Sequence, residues 1–361
     1  MIPPEQYSFI YTHLMLVLIF VTLMSYVQGG VRGFNRVANL IVPIFLIFYI
    51  GTRPISSVFI DMTTYAQSFE IAANRGIVYY SDFLFSAFML GLSQVTTVEV
   101  FFFLCSVFYI FPIVAGLRHR HGNFAFGAFV AIITSFSFFT YGVNGIRNGM
   151  ATSIMVAAIA WSDRKVVFAL LAVAAYGTHN TLAVPILFYF LTFFNSNVML
   201  YGCLWFSVLV FTAATGGAAA NFLAGLLSSS EDTRVGYLTT RGDDKGGFRL
   251  DFVLYSIVPV IFSYAWAKAH TRKDPFYQRL LCAYLATNAF WLLAMYAAFS
   301  NRFAYLSWFM MPWLIVYPFI PNQKTPGSEL SKKVEVNPFA AMIIGQFALT
   351  YLFDIIIYPN R

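Results

Sequence analysis

Apolar runs follow one another along this chain almost without pause, at roughly 9–27, 38–52, 98–117, 124–141, 146–161, 165–177, 181–194, 198–215, 250–268, 279–299, 303–320 and 338–358. A backbone threaded through so many apolar stretches cannot present a wettable surface on every side. Only 10% of the 361 residues are charged against 59% hydrophobic, too little charge to cover a soluble protein. The expected fold class is all-α: a polytopic transmembrane helical bundle of about 12 spans, because a helix in lipid satisfies its backbone N–H and C=O groups within itself. Several runs fall short of the ~20 residues that a perpendicular helix needs, which predicts tilted, broken or partly crossing segments. Aromatic residues, 19% of the chain, suit wide apolar bundles and both membrane interfaces. The first run reads as a retained span, since no basic residue precedes it and no small-residue cleavage site closes it.

No repeat period or flexible linker divides the sequence, so residues 1–361 are expected to form a single integral membrane domain. Within it, 53–97 reads as an external loop carrying an interfacial amphipathic helix at 83–95. The polar stretch 216–250, with its RGDDKGG run, reads as a second external loop, and 321–337 as a cytoplasmic one. Lys and Arg set the orientation. With the N-terminus outside, the cytoplasmic turns hold Arg32, Arg36, Arg118, Arg120, Arg164, Lys165, Lys268, Arg272, Lys273, Arg279, Lys324, Lys332 and Lys333, thirteen of the 22 basic residues. Of the other nine, only Arg147, Arg302 and Arg361 lie in short external loops or at span ends. The net charge of +7 is thus a record of topology. Its scattered cations form no stripe that could track phosphates, so no nucleic-acid partner is expected. Cys105, Cys203 and Cys282 lie in separate apolar runs, as buried free thiols would, with no disulfide framework or zinc site implied.

With this topology, four polar features fall on the external membrane face. They are GTRPISSVFIDMTTY with Arg53, Asp61 and Tyr65; GIRNGMATSI with Arg147; AYGTHNTL with His179; and SNRFAYL with Arg302 and Tyr305. Arg147 precedes Trp161 by fourteen residues, about 21 Å of helix, which puts it opposite the SDRK turn. Each feature alone has a plain structural reading: an arginine snorkelling to headgroups, a capping histidine, an aspartate opening a helix. Gly142, Gly145 and Gly149 read as helix-packing positions. Convergence favours chemistry, because ionisable groups at span depth are rare without a purpose. Guanidinium groups bind phosphate bidentately and stay charged. Two of them at an interface suit a lipid diphosphate, the leaving group in glycosyl transfer. A carboxylate or imidazole can then take the proton of an attacking sugar hydroxyl. No nucleotide-binding glycine motif, metal-ligand cluster or GxSxG is present.

In this order, Arg53, Asp61-x-x-x-Tyr65, an acidic Asp82, IRNGMA, a span-end His179 and NRFAY, the chain resembles the EpsG family of Wzy-like polysaccharide polymerases, grouped with the GT-C glycosyltransferases. The family usually has Arg-Gln where this chain has Arg147-Asn148. The resemblance implies a GT-C-like fold and polymerisation of polyprenyl-diphosphate-linked oligosaccharides at the external face of the bacterial inner membrane. It makes membrane lipid, a chain-length regulator and a flippase of the same pathway the expected partners. Arg147 and Arg302 would hold diphosphate. Asp61 or His179 would act as base, and the GT-C analogy favours Asp61. Tyr65 and Tyr305 would shape the sugar site, with Arg53, Asp82, Asn148, Arg241 and Arg249 as further substrate-binding candidates. No cofactor or metal is expected, since arginines do a cation's work. An O-antigen ligase-like transferase shares this logic and differs in acceptor. A lipid-linked oligosaccharide flippase would want mid-membrane charges and internal symmetry, and a non-enzymatic subunit of an exopolysaccharide complex is a further alternative.

Overall fold

A computed structural model describes residues 2–78, 80–221, 247–263, 274–297, 300–321 and 334–357. The described residues are helical throughout, with 3-10 turns between helices. By length and composition, five stretches among them are long and apolar enough to cross a membrane: Pro4–Val27, Val31–Gly51, Val98–Ile133, Val198–Thr215 and Val336–Ile357. Other apolar helices among the described residues, such as Phe83–Ser93, Ile146–Ala160, Lys165–Thr178 and Leu250–Phe262, have 10–17 residues. The chain divides into two compact units, one of residues 1–183 with 316–361 and the other of residues 184–315.

The first unit contains α1 (Tyr7–Val27), α2 (Val31–Gly51), α3 (Asp61–Arg75), α4 (Phe83–Ser93), α5 (Val98–His121), α6 (Ala125–Ile133), α7 (Phe136–Val143), α8 (Ile146–Ala160) and α9 (Lys165–Thr178). Small residues let its helices approach closely. A Cβ on Gly116 of α5 would lie 2.9 Å from the Ala157 Cα of α8, and one on Gly51 of α2 would lie 2.5 Å from the Ser106 hydroxyl of α5. Contacts sort the helix ends into two groups. At one end the Tyr49 hydroxyl donates to the Tyr7 carbonyl at 2.8 Å, and Arg53 donates to the Val143 carbonyl at 3.0 Å. At the other, the Tyr26 hydroxyl meets Asn35, His119 lies 3.0 Å from Asp163, and the His121 Nδ1 lies 3.0 Å from the Pro321 carbonyl. The second end carries Arg32, Arg36, Arg118, Arg120, Arg164 and Lys165, the residues that the charge count assigns to the cytoplasm.

Two features depart from the expected pattern. The run 124–141 is two helices, broken at Thr134–Ser135. A break inside lipid strands the last carbonyls of α6, yet all four find donors. Val130 accepts from Thr134, Ala131 from the Gln346 side-chain amide at 2.7 Å, Ile132 from Ser135, and Ile133 from the Tyr11 hydroxyl at 2.5 Å. The break is sealed by α1 and by the C-terminal helix Val336–Tyr351. Second, the amphipathic pattern within 53–97 belongs to α3. Met62, Tyr65, Ala66, Phe69 and Ala72 form its buried stripe, Asp61 and Arg75 match the helix dipole at its two ends, and Gly76 closes it at φ 65°. The 83–95 segment is instead α4, apolar on nearly every side. Its 11 residues extend only about 16 Å, half of a ~30 Å hydrocarbon core.

The second unit opens with α10 (Ala183–Leu191) and continues through α11 (Val198–Thr215), α12 (Leu250–Phe262), α13 (Pro275–Leu293), α14 (Ser300–Trp308) and α15 (Met311–Val316). Its core holds a buried polar knot. Asn288 accepts from the Trp205 indole at 2.7 Å and donates to Ser307 at 2.9 Å and Ser256 at 3.2 Å, while Trp308 donates to Ser256 at 2.8 Å. These bonds tie α11, α12, α13 and α14 together. Most of the 216–250 and 321–337 loops lies outside the described residues.

Candidate functional site

The reversal from α7 to α8 runs through Asn144 and Gly145, and α8 turns close under α7 because Gly149 has no side chain: a Cβ there would meet the Tyr141 carbonyl at 2.6 Å. Gly142 and Gly145 likewise abut Tyr109 and Tyr141, as packing positions do. Arg147, the second residue of α8, therefore projects at the end of the unit opposite His119. Its Nη1 donates to Asp82 Oδ2 at 2.5 Å and its Nε to the Tyr65 hydroxyl at 3.1 Å. Three rings enclose the guanidinium, with centroids 4.2 Å (Tyr80), 5.8 Å (Phe85) and 5.9 Å (Tyr65) away. The same rings touch one another at 5.6–5.8 Å. Nη2 keeps its two N–H groups without a partner among the described residues, and the side chain is 23% exposed. That is an arginine half held and half open.

Asp82 is the hub. It occupies the N-cap position of α4 but leaves its own helix uncapped and reaches across to α8 and α9. Oδ1 accepts the Asn180 N–H at 2.9 Å, at the start of the 3-10 turn Asn180–Leu182, while Oδ2 takes Arg147. The His179 Nδ1 stands 3.3 Å from Oδ2, within ion-pair range but off the line of a hydrogen bond. The carboxylate is only 2% exposed. Burial pushes its pKa up, but His179, the Asn180 N–H and Arg147 outweigh burial and hold it below the usual carboxylate value. His179 ends α9 in extended conformation and is 14% exposed. The end of α9 comes this near because residue 177 is glycine: a Cβ there would lie 2.5 Å from the Phe83 ring, next to Asp82.

The remaining candidates lie elsewhere. Arg53 shares this end of the unit but turns inward, 5% exposed, donating to the Ile50 and Val143 carbonyls at 2.5 and 3.0 Å between the rings of Phe59 and Phe102. It caps the C-termini of α2 and α7, a structural post where a substrate contact was expected. Burial pushes its pKa down to about 10, so it stays charged. Asp61 opens α3, partly exposed, one turn ahead of Tyr65. Asn148 is partly exposed and accepts weakly from Thr152 at 3.4 Å. Arg302 and Tyr305 belong to the second unit, Arg302 exposed and Tyr305 buried with its ring 5.3 Å from Trp308. Arg249, also in that unit, forks onto Asp251 at 2.9 and 2.6 Å over the Phe252 ring. Arg241 lies outside the described residues. Tyr80, Phe85 and Asn180 are site residues that the sequence reading passed over. The YYSDF stretch carried a signal for Tyr80, an aromatic next to an aspartate where a turn enters an apolar helix. Among the described residues no three His, Cys, Asp or Glu side chains are grouped so as to hold a metal ion.

The chain matches the family model described as EpsG family over residues 36–355. No curated protein and no solved structure matches it.

Proposed function

Because the chain belongs to the EpsG family, we propose that it is a Wzy-like polysaccharide polymerase whose reaction centre is the Asp82–Arg147–His179 cluster. The observation that carries this reading is the sharing of one buried carboxylate between a half-open guanidinium and an imidazole. The donor is a glycan on polyprenyl diphosphate, and the acceptor is the free sugar end of a lipid-linked repeat unit. The acceptor hydroxyl attacks the donor's anomeric carbon, and the bond from that carbon to the diphosphate oxygen breaks. The polyprenyl diphosphate leaves with the electron pair. Arg147 meets the growing negative charge with its unpaired Nη2 donors, which a planar guanidinium presents in phosphate geometry. His179 accepts the hydroxyl proton while Asp82 stabilises the imidazolium that results. This assigns the base to His179 and leaves Asp61 to the approach of the acceptor. The bias of Lys and Arg toward the opposite end of the unit supports an external-face position for the cluster.

Deleting the gene should leave single repeat units at the cell surface without long chains, and plasmid-borne His179→Gln should not restore them. Normal chain-length ladders in the deletion strain would sink the polymerase reading. Full-length chains that fail only to reach their final acceptor would move it to a ligase. For the orientation, single cysteines at Asn74 and Arg164, in a background lacking the natural three, should label with an impermeant thiol reagent at Asn74 only. Labelling at Arg164 alone would reverse the membrane sides.

A further inference from the structure

The connector between α3 and α4 carries a group that the mechanism does not use. Arg147 is anchored in its own plane at two points, Nη1 on Asp82 and Nε on the Tyr65 hydroxyl. Two points define a line, and rotation of the guanidinium about that line remains possible. Nη2 lies off the line, so such a rotation would carry the unpaired donors away from any fixed anion. Among the described residues the ring closest to the guanidinium is Tyr80, with its centroid 4.2 Å from the Arg147 Cζ. Tyr80 is itself held from two sides. Its carbonyl accepts from the Ser86 hydroxyl of α4 at 2.8 Å, and its hydroxyl lies 3.0 Å from the Ser68 hydroxyl of α3. Ser68 already donates its single proton to the Thr64 carbonyl at 2.8 Å. Tyr80 must therefore be the donor to Ser68, which sets the direction of its O–H bond.

We infer that Tyr80 is a positioning residue that fixes the rotation of the Arg147 guanidinium, so that its unpaired N–H groups face a phosphate-type anion. The inference rests on the reading of Arg147 as an anion site and adds the residue that orients it. The ring face attracts the cation and blocks the rotation that the two in-plane bonds leave open. Asp82 and Tyr80 stand two residues apart on one connector, so the same backbone segment holds the guanidinium by its edge and by its face.

The test is a double-substitution cycle on the purified full-length protein in nanodiscs, titrated with inorganic pyrophosphate by calorimetry. Tyr80→Leu should weaken binding about tenfold, while Tyr80→Phe, which keeps the ring and loses only the Ser68 bond, should stay within about twofold of the parent. In an Arg147→Gln background, Tyr80→Leu should change the residual binding no further, because its effect runs through the guanidinium. Arg147-dependent binding that Tyr80→Leu leaves intact would overturn the inference and leave the anion site standing. Pyrophosphate binding that is absent from the parent, or unchanged in Arg147→Gln, would overturn the anion site and this inference with it. Equal losses in Tyr80→Leu and Tyr80→Phe would overturn the ring's role specifically.

Discussion

Arg53 and Arg147 lie at the same end of the same unit, each among aromatic rings and each drawing two hydrogen bonds from the protein. Their partners separate them. Arg53 faces two carbonyls at helix ends, those of Ile50 and Val143, and is 5% exposed. Arg147 faces a carboxylate and a phenol, is 23% exposed, and keeps Nη2 in reserve. Neither guanidinium is fully paired, for the Arg53 Nε also lacks a partner among the described residues. What distinguishes them is that the open donor of Arg53 is sealed inside the protein, while Arg147 is partly exposed and shares its carboxylate with an imidazole.

The largest expected effect breaks the chemical half of this pair. Arg147→Lys should lower polymer synthesis by about a hundredfold or more at unchanged thermal stability, because an ammonium keeps the charge without the planar fork. Near-normal chain length from reconstituted Arg147→Lys would erase the contrast. Arg53→Gln tests the structural half. It should cost about 2–4 kcal/mol in detergent unfolding, the range for stranding buried carbonyls and removing a buried charge. The molecules that remain folded should keep full specific activity; lost activity at parental stability would move Arg53 to the substrate side. A smaller effect concerns pH. Asp82 is held below the ordinary carboxylate value, so its ionised form contributes stability above about pH 4, and that contribution disappears as pH falls through the lower folded value. The stability gap between the parent and Asp82→Asn should thus be flat from neutrality to about pH 4 and close below it. A gap that closes well above about pH 4 would overturn this role for the Asp82 carboxylate. The least effect is expected from Gly177→Ala, whose Cβ would press on Phe83. It should reduce turnover a few-fold, with about 1 kcal/mol of overpacking, by loosening the approach of His179 to Asp82.

The helical membrane class was legible from the spacing of apolar runs and the scarcity of charge, since both are properties of short stretches. The break at Thr134–Ser135 was not, because what makes it tolerable is Tyr11 and Gln346, supplied from the two ends of the chain. Arg147, Asp82 and His179 could each be picked out as ionisable groups at the ends of apolar runs. That Asp82 would leave its own helix to join the other two depends on Gly177 and Gly149 admitting close contacts, which no local pattern announces. The carbonyl contacts of Arg53 were illegible for a related reason: a basic residue at a span end looks the same in sequence whether it faces outward or bonds two helix ends. Tyr80 was hidden among many tyrosines, distinguished only by what it lies beneath.

The sealed break between α6 and α7 also bears on how the protein is made. The Ala131 carbonyl has only a long local contact, 3.3 Å from the Thr134 hydroxyl, and takes its 2.7 Å bond from an amide 215 residues further along the chain. During synthesis the ribosome must deliver every intervening helix before that bond can form. Until then the α6–α7 break lacks one of the donors that seal it. The helix Val336–Tyr351 therefore closes the α6–α7 break, and chains truncated before Gln346 are expected to be degraded even though every residue of the Asp82–Arg147–His179 cluster has already been made.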